Sequence, residues 1–171
     1  MKKLLILSLL ILVSACGGRN SNQPEMKPLE NAVKVYLPQS VPYYDPMVIA
    51  SNIKAECSSL GSQLSSFVKR YSTHHNIDIV RTEDITNINK GYVLVLKIRN
   101  AMSAGNAWSG HKKQVLITAD LLKNGEKVKD FTATRNSMGG VFGGFKGSCD
   151  VLQRTVNTLG SDTAIWLSKN L

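Results

Sequence analysis

Three histidines, three cysteines and one glycine-rich stretch carry the most recognisable chemistry in this 171-residue chain. Ser109 and His111 lie two residues apart beside Trp108, which suggests a nucleophile and its base. A serine enzyme also needs an orienting third group and an oxyanion hole, and the chain has no Gly-x-Ser-x-Gly elbow, so no catalytic residue is expected. His74 and His75 are adjacent, so on a regular element they point in different directions, and no cysteine or carboxylate neighbours complete a ligand set. No metal site is expected there. The stretch Ser137-Met138-Gly139-Gly140-Val141-Phe142-Gly143-Gly144-Phe145-Lys146-Gly147-Ser148 has the spacing of a phosphate-binding loop between Gly139 and Gly144. However, Phe145 stands where the lysine should follow, and Gly147 intervenes before Ser148. Neither nucleotide nor any other cofactor is expected. Met138, Val141, Phe142 and Phe145 are costly to leave in water, and loops carry function disproportionately, so these four residues are the candidate partner-binding loop.

Met1-Lys2-Lys3, the apolar run Leu4 to Val13 and Ser14-Ala15-Cys16 form a basic head, a short hydrophobic stretch and a small-residue cleavage site. This pattern reads as a secretory signal, too short for a retained membrane-spanning helix. Val13-Ser14-Ala15-Cys16 resembles the lipobox of bacterial lipoproteins. The resemblance implies removal of residues 1–15, acylation of the Cys16 thiol, and attachment to the membrane through that N-terminal lipid. Gly17 is not the aspartate that acts as an inner-membrane retention signal, which implies the outer membrane and its periplasmic face, with the cell surface as the alternative orientation. With Cys16 set aside, Cys57 and Cys149 remain in an oxidising compartment, and a disulfide between them is expected. A reactive thiol would need an unpaired cysteine and an activating neighbour.

The formal charge of +9 stays clearly positive once Lys2 and Lys3 leave with the signal. Export argues against nucleic acid as a partner, and the densest pairs, Lys69-Arg70 and Lys112-Lys113, are not interleaved with aromatics as a single-strand groove requires. A solvated surface or attraction to anionic glycan or lipid headgroups remains.

These residues must be positioned by a small number of elements. Residues 16–32 are polar, with two prolines, and read as a tether with an end-to-end distance of roughly 20–24 Å. Residues 33–171 form a single domain of about 140 residues, enough for one core. Val33 to Leu37 suits a first strand ending at Pro38. From Pro46, apolar residues at Ile49, Ile53, Cys57, Leu60, Leu64, Phe67 and Tyr71 recur at helical spacing, predicting one helix that ends near His74-His75-Asn76. Ile77 to Arg81 is a second strand. Tyr92 to Arg99, apolar on both faces at its start, is a third and central one. Asn100 to Lys112 reads as a long polar connection.

Val115, Ile117, Ala119 and Leu121 alternate along a fourth strand, Asn124-Gly125 turns the chain, and Lys127 to Arg135 returns. A regular two-residue hairpin would pair Ala119 with Asp130 and set Thr132 and Thr134 on the apolar face. A bulge or odd-length loop that moves Phe131 and Ala133 there is therefore expected. A last helix, capped by Ser148 with Asp150 in its first turn, aligns Cys149, Leu152, Val156, Leu159, Thr163 and Trp166. The fold class is α/β two-layer: a mixed sheet of about five strands with two long helices packed on one face, stapled by the disulfide.

Phe131-Thr132-Ala133-Thr134-Arg135 leading to Gly139-Gly140, and Phe145-Lys146-Gly147-Ser148-Cys149 leading to Asp162-Thr163-Ala164-Ile165-Trp166-Leu167, resemble small Gram-negative lipoproteins whose domain is similar to the amino-terminal domain of TolB. That resemblance implies an α/β two-layer fold without catalytic residues, acting through contact with another envelope protein. Together these readings point to a lipid-anchored, non-enzymatic interaction or assembly module. The alternative is a binder of anionic glycan or lipid headgroups.

Overall fold

The computed structural model describes residues 29–106, 110–138 and 148–171. Cys16, the tether to residue 28 and residues 139–147, with Val141, Phe142 and Phe145, lie outside the described residues, as do the side chains of 104–112, Met138 and Ser148.

The sheet has five strands: β1 (Val33–Pro38), β2 (Ile77–Thr82), β3 (Tyr92–Asn106), β4 (Gly110–Lys123) and β5 (Glu126–Met138). Their order is β2-β1-β3-β4-β5, which puts β3 at the centre. β1 runs parallel to both its neighbours, while β3, β4 and β5 form an antiparallel meander. Parallel pairing of consecutive strands needs a crossover, and helices α1 (Ser51–Glu56) and α2 (Leu60–Ser72) supply it. Helix α3 (Ser148–Ser168) follows β5.

Alternation builds the core. Val35, Leu37, Ile77, Ile79, Leu94, Leu96, Ile98, Val115, Ile117, Ala119 and Leu121 all face the helices and are buried, meeting Ile53, Leu60, Leu64, Leu152, Val156 and Leu159. Ser65, the buried polar residue of α2 beside the end of β1, has full partners: its Oγ donates to the Pro38 carbonyl at 2.7 Å and accepts from Arg81 Nε at 3.0 Å. The Cys57–Cys149 disulfide joins the crossover to α3 with Cα atoms 5.3 Å apart, and Tyr71 Oη donates to Asn157 Oδ1 at 2.5 Å between α2 and α3.

Two element readings are corrected. The helix expected from Pro46 begins only at Ser51 and breaks at Cys57-Ser58-Ser59 before resuming at Leu60. Asp45 Oδ1 accepts the Met47 N–H and holds Pro46 in a turn, and the Leu60 N–H reaches back only three residues to Cys57. Serines compete for local backbone partners, which favours a break where two of them follow the cysteine. The stripe survives because Ile49, Ile53, Cys57, Leu60 and Leu64 are all still buried. The expected polar connection Asn100 to Lys112 is largely strand: β3 continues to Asn106 and pairs with β4 down to Gly110. An antiparallel ladder is made of backbone bonds and tolerates polar side chains on both faces.

The hairpin carries the expected bulge. Lys123 opposes Glu126 across Asn124 (φ 54°) and Gly125 (φ 87°). Leu122 pairs with Lys127 and Leu121 with Lys129, leaving Val128 as the extra residue, so that Ala119 meets Phe131. The helical segment ends near His74-His75-Asn76 as expected, through a single 3-10 turn, Thr73–His75, closed by left-handed Asn76.

Candidate functional site

With the helices on one face, no described helix covers the other face of the sheet, here called the open face, and its side chains follow from register. Val80, Tyr36, Val93, Leu122 and Lys127 make one row across all five strands. Lateral cover from Tyr36 and Leu122 explains why Val93 is only 1% exposed on a face that no helix covers. The next row runs Val95, Asp120, Asp130, and the one after it Lys97, Thr118, Thr132. An apolar band therefore borders a polar field.

A pocket opens over that field, lined on its polar side by Tyr44, Lys97, Arg99, Thr118, Asp130 and Thr132. Two bulges bracket it. In β3, Ile98 pairs with Ile117 but Asn100 pairs with Leu116, so Arg99 is the extra residue. In β5 the extra residue is Val128. Arg99 and Lys97 stand at one end of the pocket and Lys127 at the other.

Tyr44 reaches the pocket because residues 42–44 take the place beside β3 that β1 leaves at Pro38. The Ile98 N–H donates to the Pro42 carbonyl at 2.9 Å, and the Tyr44 N–H donates to the Ile98 carbonyl at 2.8 Å. Alternation turns Tyr43 toward the core and Tyr44 onto the open face. Arg99 Cζ lies 3.5 Å from the Tyr44 ring centroid and Lys97 Nζ 5.5 Å from it, within cation–π range. The hydrogen bond from Arg99, and then its charge, hold the Tyr44 hydroxyl below the ordinary phenol value. At the far end Lys127 Nζ contacts Asp120 at 2.5 Å and Asp130 at 3.7 Å.

A second feature is the outer edge of β5, which pairs with no strand among the described residues. Its first half carries Lys127, Lys129 and the bulge, devices that blunt an edge. From Phe131 onward it has none of these, and it borders a groove shared with α3, lined by Ala133, Thr134, Ile165, Trp166 and Lys169. Phe131 stacks on Trp166 with centroids 5.2 Å apart. Arg135 donates through Nε and Nη2 to both oxygens of Asp162, at 2.6 and 2.7 Å, which fixes the groove wall. Ile165 is 41% exposed.

Of the residues singled out by sequence, the structure brings Cys57 and Cys149 together. His74 and His75 are both exposed, and no metal-ligating cluster occurs among the described residues. The side chains of Ser109 and His111 lie outside the described residues. Sequence reasoning passed over Tyr44, Lys97 and Arg99, whose only signal was a pair of cations at alternate positions, Lys97 and Arg99, ending the third strand.

No protein-family model matches the chain, and no curated protein matches it significantly in sequence. Among solved structures, a Xanthomonas campestris protein of family DUF330 is similar at TM-score 0.52 with 11% identity, covering 81% of this chain and 86% of that one. A minor lipoprotein from Acinetobacter baumannii aligns at TM-score 0.45 and 14% identity over 80% of this chain and 93% of that one. The PelC dodecamer of Paraburkholderia phytofirmans aligns at 0.48 and 18% over 76% and 87%. The likeness is one of fold.

Proposed function

We propose that this protein is a lipid-anchored, non-enzymatic interaction or assembly module of the bacterial envelope. In this reading it is held at the outer membrane through Cys16, faces the periplasm, and pairs the open edge of β5 with an extended segment of another envelope protein. The observation that carries the reading is the unguarded half of β5, Phe131 to Met138, beside an apolar groove. A strand added there gains main-chain hydrogen bonds, and alternate side chains enter the groove. Arg135 is already neutralised by Asp162, while Lys169 is in no ion pair among the described residues, so the fitting segment alternates apolar residues with a carboxylate. Met138, expected in the loop, is the last residue of β5; Val141, Phe142 and Phe145 come after it in the chain, and we assign all four to the same docking surface. Kinship with the TolB amino-terminal domain is part of this proposal and rests on the Phe131–Arg135 and Phe145–Cys149 motifs.

The test is photo-crosslinking in cells with benzoylphenylalanine placed at Thr134, Ile165 or, as control, the 91% exposed Met47. The expected result is one envelope protein captured from Thr134 and Ile165 and not from Met47. Identical adducts from all three positions, or none from the first two, would end the edge-docking reading.

A further inference from the structure

The open-face pocket borders the β5–α3 groove, with which it shares Phe131, and has its own chemistry. Among the described residues neither Lys97 nor Arg99 is paired with a carboxylate; both lie against the Tyr44 ring instead. A guanidinium stacked by its face keeps N–H donors along its edge, and that planar fork matches an oxyanion bidentately. Thr118 and Thr132 share a row with Lys97 and add two hydroxyls to the pocket lining. Two cations, one of them a planar fork, and two hydroxyls line the same pocket, a donor set that suits an oxyanion. Tyr44 is 57% exposed, so the pocket is reached directly from solvent. Asp120 and Asp130 close the far end, where their residual negative charge limits how deep an anion can enter. Alternation sets Arg99 on the open face beside Lys97, and the β3 bulge lies at Arg99 itself.

We infer that the Tyr44–Lys97–Arg99–Thr118–Thr132 pocket binds a phosphate group. Phosphate can be presented by a phospholipid headgroup or by a soluble phosphate ester, and the two sources share this recognition chemistry.

The mature chain carrying Cys16→Ser, which has no acyl group, separates the sources. Glycerol phosphate is titrated by calorimetry, and sedimentation is measured with vesicles of phosphatidylglycerol in phosphatidylcholine against pure phosphatidylcholine. Binding of both probes, or of glycerol phosphate alone, assigns a soluble ester; binding only to the anionic vesicles assigns a headgroup. In either case Arg99→Ala is expected to weaken the interaction by about tenfold or more, the scale of one lost charge-assisted contact. Lys129→Ala removes the same charge from an exposed site on β5 and should change affinity less than about twofold. Should Arg99→Ala disturb folding, Lys97→Ala carries the same expectation. The inference is overturned if neither probe binds, if Lys129→Ala weakens binding as much as the pocket variants do, or if sodium acetate competes as well as inorganic phosphate.

Discussion

Lys127 stands between two carboxylates that the Val128 bulge has placed directly opposite each other, Asp120 and Asp130. Like charges facing across strands are unfavourable, and the lysine bridges them. Its hydrogen bond to Asp120 comes first among the causes that raise its pKa above the ordinary 10.5. A raised pKa means that the ammonium's contribution is fully present below the unfolded value and is lost as pH rises through the folded one. Lys127→Ala should therefore lower thermal stability at neutral pH, and Asp130→Asn in that background should restore part of the loss. The deficit of Lys127→Ala relative to the parent should shrink above the folded lysine pKa. Equal stability of parent and Lys127→Ala at pH 7 would contradict this account.

At the scale of elements, α2 and α3 approach so closely that one of them needs a residue without a side chain. A Cβ on Gly160 would lie 2.5 Å from Phe67 Cβ and 3.0 Å from the Phe67 carbonyl carbon. Alanine gains about 1 kcal/mol over glycine in helix propensity, yet overpacking typically costs about 1–3 kcal/mol. Gly160→Ala is expected to be net destabilising in urea unfolding, and a stabilised variant would mean that the helices part easily. The disulfide ties the same helical layer. In the chain-entropy model, a loop of 92 residues corresponds to about 4–5 kcal/mol. The double variant Cys57→Ser/Cys149→Ser should accordingly unfold at markedly lower denaturant with little change in the fold. Mass spectrometry of the unreduced parent should find no free thiol at either position.

For the whole molecule the question is attachment and contact. Cys16→Ser removes the thiol that the proposed lipid would occupy. Stable anchoring takes more than one acyl chain, so the variant should leave the membrane fraction while the domain stays folded and soluble. Retention in outer membranes after a high-salt wash would remove the anchor from the proposal. Phe142→Ser/Phe145→Ser separates docking from packing in the loop after β5. If these rings meet a partner, the double variant keeps its stability and loses the cross-link at Thr134. If they belong to the core, it loses several kcal/mol.

Periodicity and chemistry that are local to the chain were legible from residues alone. The alternation of Val115 to Leu121, the helical stripe from Ile49 to Leu64 and the Asn124-Gly125 turn each state a burial pattern without reference to distant residues. Even the irregularity of the hairpin could be read, as a bulge or an odd-length loop, because Phe131 and Ala133 must share a face with Ile117 and Leu121; its place at Val128 came from the structure. The pairing of Cys57 with Cys149 followed because, with Cys16 set aside, only one partner was left for each. Tertiary structure alone decided the rest. The first helix breaks at Ser58-Ser59 while its apolar stripe runs on, and β3 and β4 extend past their apolar cores because ladder bonds do not depend on side-chain polarity. Above all, Tyr44 meets Lys97 and Arg99 only through a fact no local pattern records: residues 42–44 dock on Ile98 where β1 has ended. Register and strand order are properties of the assembled sheet, so the pocket they create is written in no single stretch of sequence.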